Sequence, residues 1–249
     1  VNPVLSAGTV YGVLLNSQQE WAAWALRMNE PPYKAAPRAP VLYIKTANTW
    51  CANGAAITVP AHAPEVELGA SLALVIGAAA RQLRPEKALS HVAGYALVND
   101  LSLPHASYYR PPVRYRNLDG FLGIGPRLAT PLQVGDPNRV ALEVRVDGRL
   151  RQTVDLAQMR RHAAWLIADI SEFMTLRVGD VLVLGLGANR PRARAGQRIE
   201  ISASGVPALG VLANTLVEEV APSDAGPPHG AKLASGRSAA HAVARWGAP

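Results

Sequence analysis

Apolar residues recur at every second position along most of this chain. Thr9–Leu15 and Val41–Lys45 read as short strands on that period, and Leu72–Ile76 as a buried one. Val140, Leu142, Val144 and Val146 alternate with Ala141, Glu143 and Arg145, which predicts a half-buried strand ending at Asp147-Gly148. Asp-Gly supplies the positive φ angles of a tight hairpin turn, so Leu150–Val154 should return beside it. Val181–Leu184, Ile199–Ala203 and Val211–Val217 are the remaining strand expectations.

Helical spacing is rarer. One helix is expected from Pro85, a favoured first-turn residue, to His91 or Val92. A second should cover Asp155 to Met174 behind an Asp155 N-cap, with Leu156, Met159, Ala163, Leu166, Ile167, Ile170, Phe173 and Met174 on one face and His162 inside it. A third should start at Ser17, where Gln18–Met28 carries Trp21, Trp24 and Ala25. Many strands, few helices and frequent Gly/Pro punctuation predict an α+β fold with a rolled or barrel-like β core. Residues 1–221 read as one domain. Residues 222–249 lose the apolar period in an Ala/Gly/Pro-rich run, which predicts a flexible C-terminal extension.

Composition narrows the function. Hydrophobic residues at 49% against 17% charged exclude a disordered chain, and no apolar run is long enough to span a bilayer. The opening VNPVLSAGTVYG lacks a basic stretch followed by a long apolar one, so no signal peptide is expected. The single cysteine, Cys51, fits a reducing cytoplasm and leaves no disulfide framework. Of the 25 basic residues 21 are scattered arginines, a skew that goes with a GC-rich genome more than with a binding face, so the charge of +7 does not imply nucleic acid. No phosphate loop, nucleophile elbow or metal-type histidine spacing is present.

Three groups of polar residues remain as candidates. Glu65 and Glu67 stand two apart, as strand carboxylates facing one side would, yet a solvent-facing edge accounts for the same spacing. Asp100 ends the apolar run Leu97-Val98-Asn99-Asp100, as a functional carboxylate or a turn residue would. Arg114 and Arg116 would share a face on an extended segment and clamp a carboxylate, or be two solvated arginines.

The segments PPYKAAPRAPVLYIKTANTW (31–50), VAGYALVNDLSLPHASYYRPPVRYRNLDGF (92–121) and SEFMTLRVGDVLVLG (171–185) resemble the fumarylacetoacetate hydrolase superfamily, over about Gly8 to Glu219. The resemblance implies a mixed β-roll with a few covering helices. It is strongest to the branch that isomerises and decarboxylates 2-oxo/2-hydroxy dienoate dicarboxylates in 4-hydroxyphenylacetate (homoprotocatechuate) breakdown. Members of that branch occur as a fused tandem repeat or as two subunits, and this chain resembles the N-terminal half. The family pattern places Mg²⁺ or Mn²⁺ on a Glu-x-Glu pair and an Asp. Asp100 matches the Asp, but Ser71 and Gly69 stand six and eight residues before Gly77, where the glutamates belong. Glu65 and Glu67 come four residues too early. The metal is therefore expected to be absent or weak in this chain alone.

Two further departures accompany this one. A His and a Glu that active members carry on a lid helix, after an Asn matching Asn16, are Glu20 and Ala23 here. The family lysine facing the substrate is Arg116, while Lys45 is retained. The resemblance thus implies Lys45 and Arg116 as catalytic candidates, and Tyr109, Arg114 and Arg116 as candidates for binding a dicarboxylate. It also implies a homodimer, or a heterodimer with a catalytic sister subunit. A non-catalytic homologue serving as a structural or ligand-binding partner is the alternative.

Overall fold

A computed structural model describes residues 8–105 and 113–220. Its strands, in chain order, are β1 (Val10–Leu14), β2 (Val41–Lys45), β3 (Trp50–Ala52), β4 (Ala56–Val59), β5 (Val66–Glu67), β6 (Ala70–Ile76) and β7 (Val92–Asp100). There follow β8 (Leu122–Ile124), β9 (Ala141–Val146), β10 (Arg149–Asp155), β11 (Val181–Val183), β12 (Arg192–Ala193), β13 (Arg198–Ser204) and β14 (Val211–Glu218). The α-helices are α1 (Gln18–Trp24), α2 (Pro85–Ala88), α3 (Val113–Arg116), α4 (Pro131–Val134) and α5 (Ala163–Phe173). This is the expected α+β fold, mixed sheets with a curled half-barrel and few helices.

Seven strands form a mixed sheet in the order β2-β1-β11-β6-β7-β8-β3, and five form a second in the order β10-β9-β13-β14-β4. The edge strands of the first sheet, β2 and β3, are consecutive in the chain, with only residues 46–49 between them. A link that short reaches about 17 Å at full extension, so the sheet has to curl to bring the end of β2 near the start of β3.

Period two then sorts the side chains of β6 and β7. Leu72, Leu74, Ile76, Tyr95 and Leu97 point outward, into a core shared with Leu142, Val144, Ile201 and Leu212 of the second sheet and Leu166, Ile167 and Ile170 of α5. Ala73, Val75, Ala96 and Val98 point inward with Val10, Val181 and Val183. Both faces are buried, as the unbroken apolar run of β6 requires. Tyr43 and Lys45 pair with Gly12 and Val10 and so share the inner face. Ser71 and Asp100, in step with Ala73 and Val98, lie on it too.

The Asp147-Gly148 hairpin forms as expected, with φ of 51° and 74° and Val146 paired to Arg149. The helix expected from Asp155 to Met174 does not run through. A 3-10 turn covers Leu156–Gln158, and α5 begins only at Ala163, with His162 as its N-cap and not inside it. Asn16 explains the break. Its carbonyl accepts from Arg160 N at 2.6 Å, its Oδ1 accepts from Arg161 N at 2.9 Å, and its Nδ2 donates to Arg161 O at 3.0 Å. Those bonds hold the segment extended against the chain before α1. The other two helices are also shorter than expected, each ending in a 3-10 turn or giving way to one downstream. The expected C-terminal extension, 222–249, lies outside the described residues.

Candidate functional site

The curl brings the end of β2 onto the end of β7, two strands that are not neighbours in the sheet. Lys45 Nζ sits 2.9 Å from Asp100 Oδ1, with neither side chain reached by solvent. Tyr43, two residues earlier on the same face, donates its hydroxyl to Asp100 Oδ2. Its ring occupies the place that a β-carbon on Gly12 would take, so only glycine at that position lets the phenol cross β1. Arg116, at the end of α3, stacks its guanidinium over the Tyr43 ring, 4.8 Å from the centroid, and places Nη1 3.8 Å from Asp100 Oδ2.

These charges set one another. Burial alone pushes the Asp100 carboxyl up; Lys45, Arg116 and the Tyr43 hydroxyl outweigh it and hold the group below the usual carboxylate range. Burial, and after it Asp100, keeps the Tyr43 phenol protonated well above its ordinary range, which makes it a donor. Burial pulls the Lys45 ammonium down and Asp100 opposes it. Lys45 also donates to the carbonyls of Arg116 (2.5 Å), Phe121 (2.8 Å) and Leu101 (3.3 Å). The charged amine, a donor on every side and an acceptor on none, is the form that such a shell of oxygens suits. By contrast, all three guanidinium nitrogens of Arg116 are buried without a hydrogen-bond partner among the described residues.

A second layer of charge surrounds the first. Glu67 pairs with Arg190 at 2.5 Å, and Arg190 donates to Ser102 Oγ at 3.2 Å. Glu65 pairs with Arg192 at 2.6 Å. The short β5–β12 ladder, with Arg192 opposite Glu67, makes these pairs. Glu67 is therefore buried, not on the solvent-facing edge expected for it. Glu20 of α1 is buried as well; burial raises its carboxyl, opposed by Arg190, Arg116 and the backbone N–H of Leu15.

The residues singled out from the sequence are thus only partly brought together. Lys45, Asp100 and Arg116 meet. Arg114 and Arg116 do not share a face, because their segment is a helical turn on which residues two apart point about 200° away from each other. Arg114 is exposed and Arg116 buried. Tyr109 lies outside the described residues. Sequence reasoning misses Tyr43, although its place two before Lys45 on a strand is an available signal. It misses Arg190 because only the fold brings that residue to Glu67.

The residues present do not fit a divalent ion at Asp100. Both carboxylate oxygens are engaged by cations and a hydroxyl of the chain itself. Ser71 spends its hydroxyl on Gly185 O at 2.6 Å. A β-carbon at Gly69 would collide with the carbonyl oxygen of Asp100, so no side chain enters there without a backbone shift. Among the described residues no three His, Cys, Asp or Glu side chains converge as metal ligands.

Comparison with known proteins agrees with the fold. The fumarylacetoacetate (FAA) hydrolase C-terminal family model matches residues 9–217. The 4-hydroxyphenylacetate degradation bifunctional isomerase/decarboxylase of Salmonella dublin is 39% identical over 81% of this chain and 46% of its own length. The Escherichia coli protein of that name is 36% identical over 85% of this chain and 48% of its own length, so the chain spans about half of these relatives. Among solved structures, 5-carboxymethyl-2-hydroxymuconate delta-isomerase from Mycobacterium smegmatis superposes with a TM-score of 0.71 at 27% identity, over 88% of this chain and 82% of that one. Fumarylpyruvate hydrolase from Pseudomonas aeruginosa, solved with Mn²⁺ and pyruvate, gives 0.69 at 25% identity, over 86% of this chain and 91% of that one. A family match across most of the chain, with the same curled sheet beneath it, means that this chain belongs to the fumarylacetoacetate hydrolase family.

Proposed function

We propose that this chain is the metal-free half of an isomerase/decarboxylase acting on 2-oxo/2-hydroxy dienoate dicarboxylates in 4-hydroxyphenylacetate catabolism, and that turnover requires a metal-bearing sister subunit. The observation that carries this reading is the state of Asp100. Lys45, Arg116 and Tyr43 all engage the carboxylate of Asp100, the residue that the resemblance matches to a family metal ligand, and Gly69 and Ser71 stand where the resemblance implies two more carboxylates. Its relatives are about twice as long, which leaves room in them for a second half of the same kind.

In this reading the chain's own residues bind and position, and none carries a metal-dependent step. The three buried guanidinium nitrogens of Arg116 make no hydrogen bond among the described residues, and they suit a carboxylate of the dicarboxylate ligand. Lys45 and Tyr43 fix the Asp100 carboxylate and cannot swing away without leaving it uncompensated. The formal charge of +7 favours association with a more acidic partner, an effect that weakens as salt rises.

The test is to assay dienoate isomerisation and decarboxylation with added Mg²⁺ or Mn²⁺, using the chain alone and with a metal-bearing family member from the same genome. No turnover alone and metal-dependent turnover in a stable complex is the expected pair of results. Chelator-sensitive turnover by the chain alone overturns the proposal. Complex formation without any gain in rate would favour the purely structural partner.

A further inference from the structure

Lys45 is surrounded by oxygen. Its Nζ lies 2.9 Å from Asp100 Oδ1, 2.5 Å from Arg116 O, 2.8 Å from Phe121 O and 3.3 Å from Leu101 O. These four oxygens come from the paired ends of β7 and β8, where Asp100 stands opposite Leu122, and from the end of α3. The shell holds one full negative charge, three carbonyl dipoles and no water-accessible side, since Lys45 and Asp100 are 1% and 0% exposed. One carboxylate with three backbone carbonyls is the donor set of a monovalent cation: carbonyl rings replace the hydration shell of potassium in the same way. It is too wide for Mg²⁺, which demands near-octahedral oxygens at about 2.0–2.1 Å.

We propose that the Lys45 ammonium is this chain's resident cation, a tethered monovalent charge that holds Asp100, Arg116 and Phe121 together where the family's metal does not fit. The site is therefore filled by the chain itself, and two carboxylates added at positions 69 and 71 do not reopen it. Position 69 is closed by the Asp100 carbonyl, and Asp100 already has its countercharge. Cutting the tether, in contrast, leaves a cage selective for potassium or a short primary alkylammonium over Mg²⁺. Lys45 fills this shell in the isolated chain, whether or not a sister subunit confers turnover.

The test uses the full chain with Lys45→Ala and Lys45→Met, following thermal unfolding in potassium, ethylammonium, tetramethylammonium and magnesium chlorides at equal ionic strength. Both variants should melt well below the parent. Only Lys45→Ala should recover, saturably, in potassium or ethylammonium. Tetramethylammonium offers no N–H and should not restore it. Lys45→Met as stable as the parent, or equal recovery in tetramethylammonium, overturns the proposal.

Should Lys45→Ala fail to fold, the parent decides the question through ¹⁵N NMR of its four lysines, Lys34, Lys45, Lys87 and Lys232. One slowly exchanging ammonium signal at neutral pH, absent in Lys45→Met or Lys45→Arg, supports the cage. Uniformly fast exchange contradicts it. Finally, Gly69→Glu with Ser71→Glu should bind no Mn²⁺ by calorimetry, and stoichiometric binding there would show that the site was not closed.

Discussion

Replacing Asp100 by Asn removes one charge and almost no volume. Lys45 and Arg116, each 1% exposed, then lose the carboxylate that lies 2.9 and 3.8 Å from their nitrogens. Leaving a buried ion without its partner costs about 3–5 kcal/mol, more than the buried pair itself contributes, because the desolvation of the remaining charge is no longer offset. For a domain of this size about 2–4 °C of Tm goes with each kcal/mol, so Asp100→Asn should lower Tm by about 6–20 °C at pH 7. The pH dependence has a definite sign. Asp100 is held below its ordinary value in the folded chain, so its stabilisation is present above the unfolded value and is lost as pH falls through the folded one. The gap between parent and variant should be constant above about pH 5 and should shrink toward pH 2. Paired calorimetric scans across that range provide the measurement. A variant within about 1 kcal/mol of the parent at pH 7 would refute the view that Asp100 is the countercharge of this cluster.

Further substitutions probe its supports. Gly12→Ala places a methyl group inside the Tyr43 ring and should cost about 1–3 kcal/mol in urea unfolding, with altered tyrosine absorbance. Glu20→Gln should raise Tm at pH 7 and leave it unchanged near pH 3: a carboxyl whose folded value is raised weakens the fold once the unfolded chain has ionised, and a neutral amide does not. Asn16→Ala strips partners from Arg161 N and Leu184 O and should destabilise by about 2–3 kcal/mol, read by the same unfolding assay.

The strand and turn chemistry was legible because it is local. Alternation placed β9 and β10, and Asp147-Gly148 set the turn between them. Helix lengths were less so, since the break before α5 comes from Asn16, about 145 positions away in the chain. The candidate cluster divided along the same line. Asp100 and Lys45 stood out through the family pattern, and counting back from Gly77 singled out Gly69 and Ser71. What the sequence could not show was that the sheet curls, its edge strands β2 and β3 joined by only residues 46–49, and brings Lys45 onto Asp100. Nor could spacing reveal that Arg114 and Arg116 lie on a helical turn, because two residues apart reads the same until the backbone is known.

Titration of the isolated, chelator-washed chain with Mn²⁺, followed by electron paramagnetic resonance of the free ion, is the most direct measurement of whether Asp100 is neutralised from within. The expected result is that the free Mn²⁺ signal grows in proportion to the metal added, identically for the parent and for Asp100→Asn. One tightly bound Mn²⁺ per chain in the parent, lost in Asp100→Asn, would contradict it.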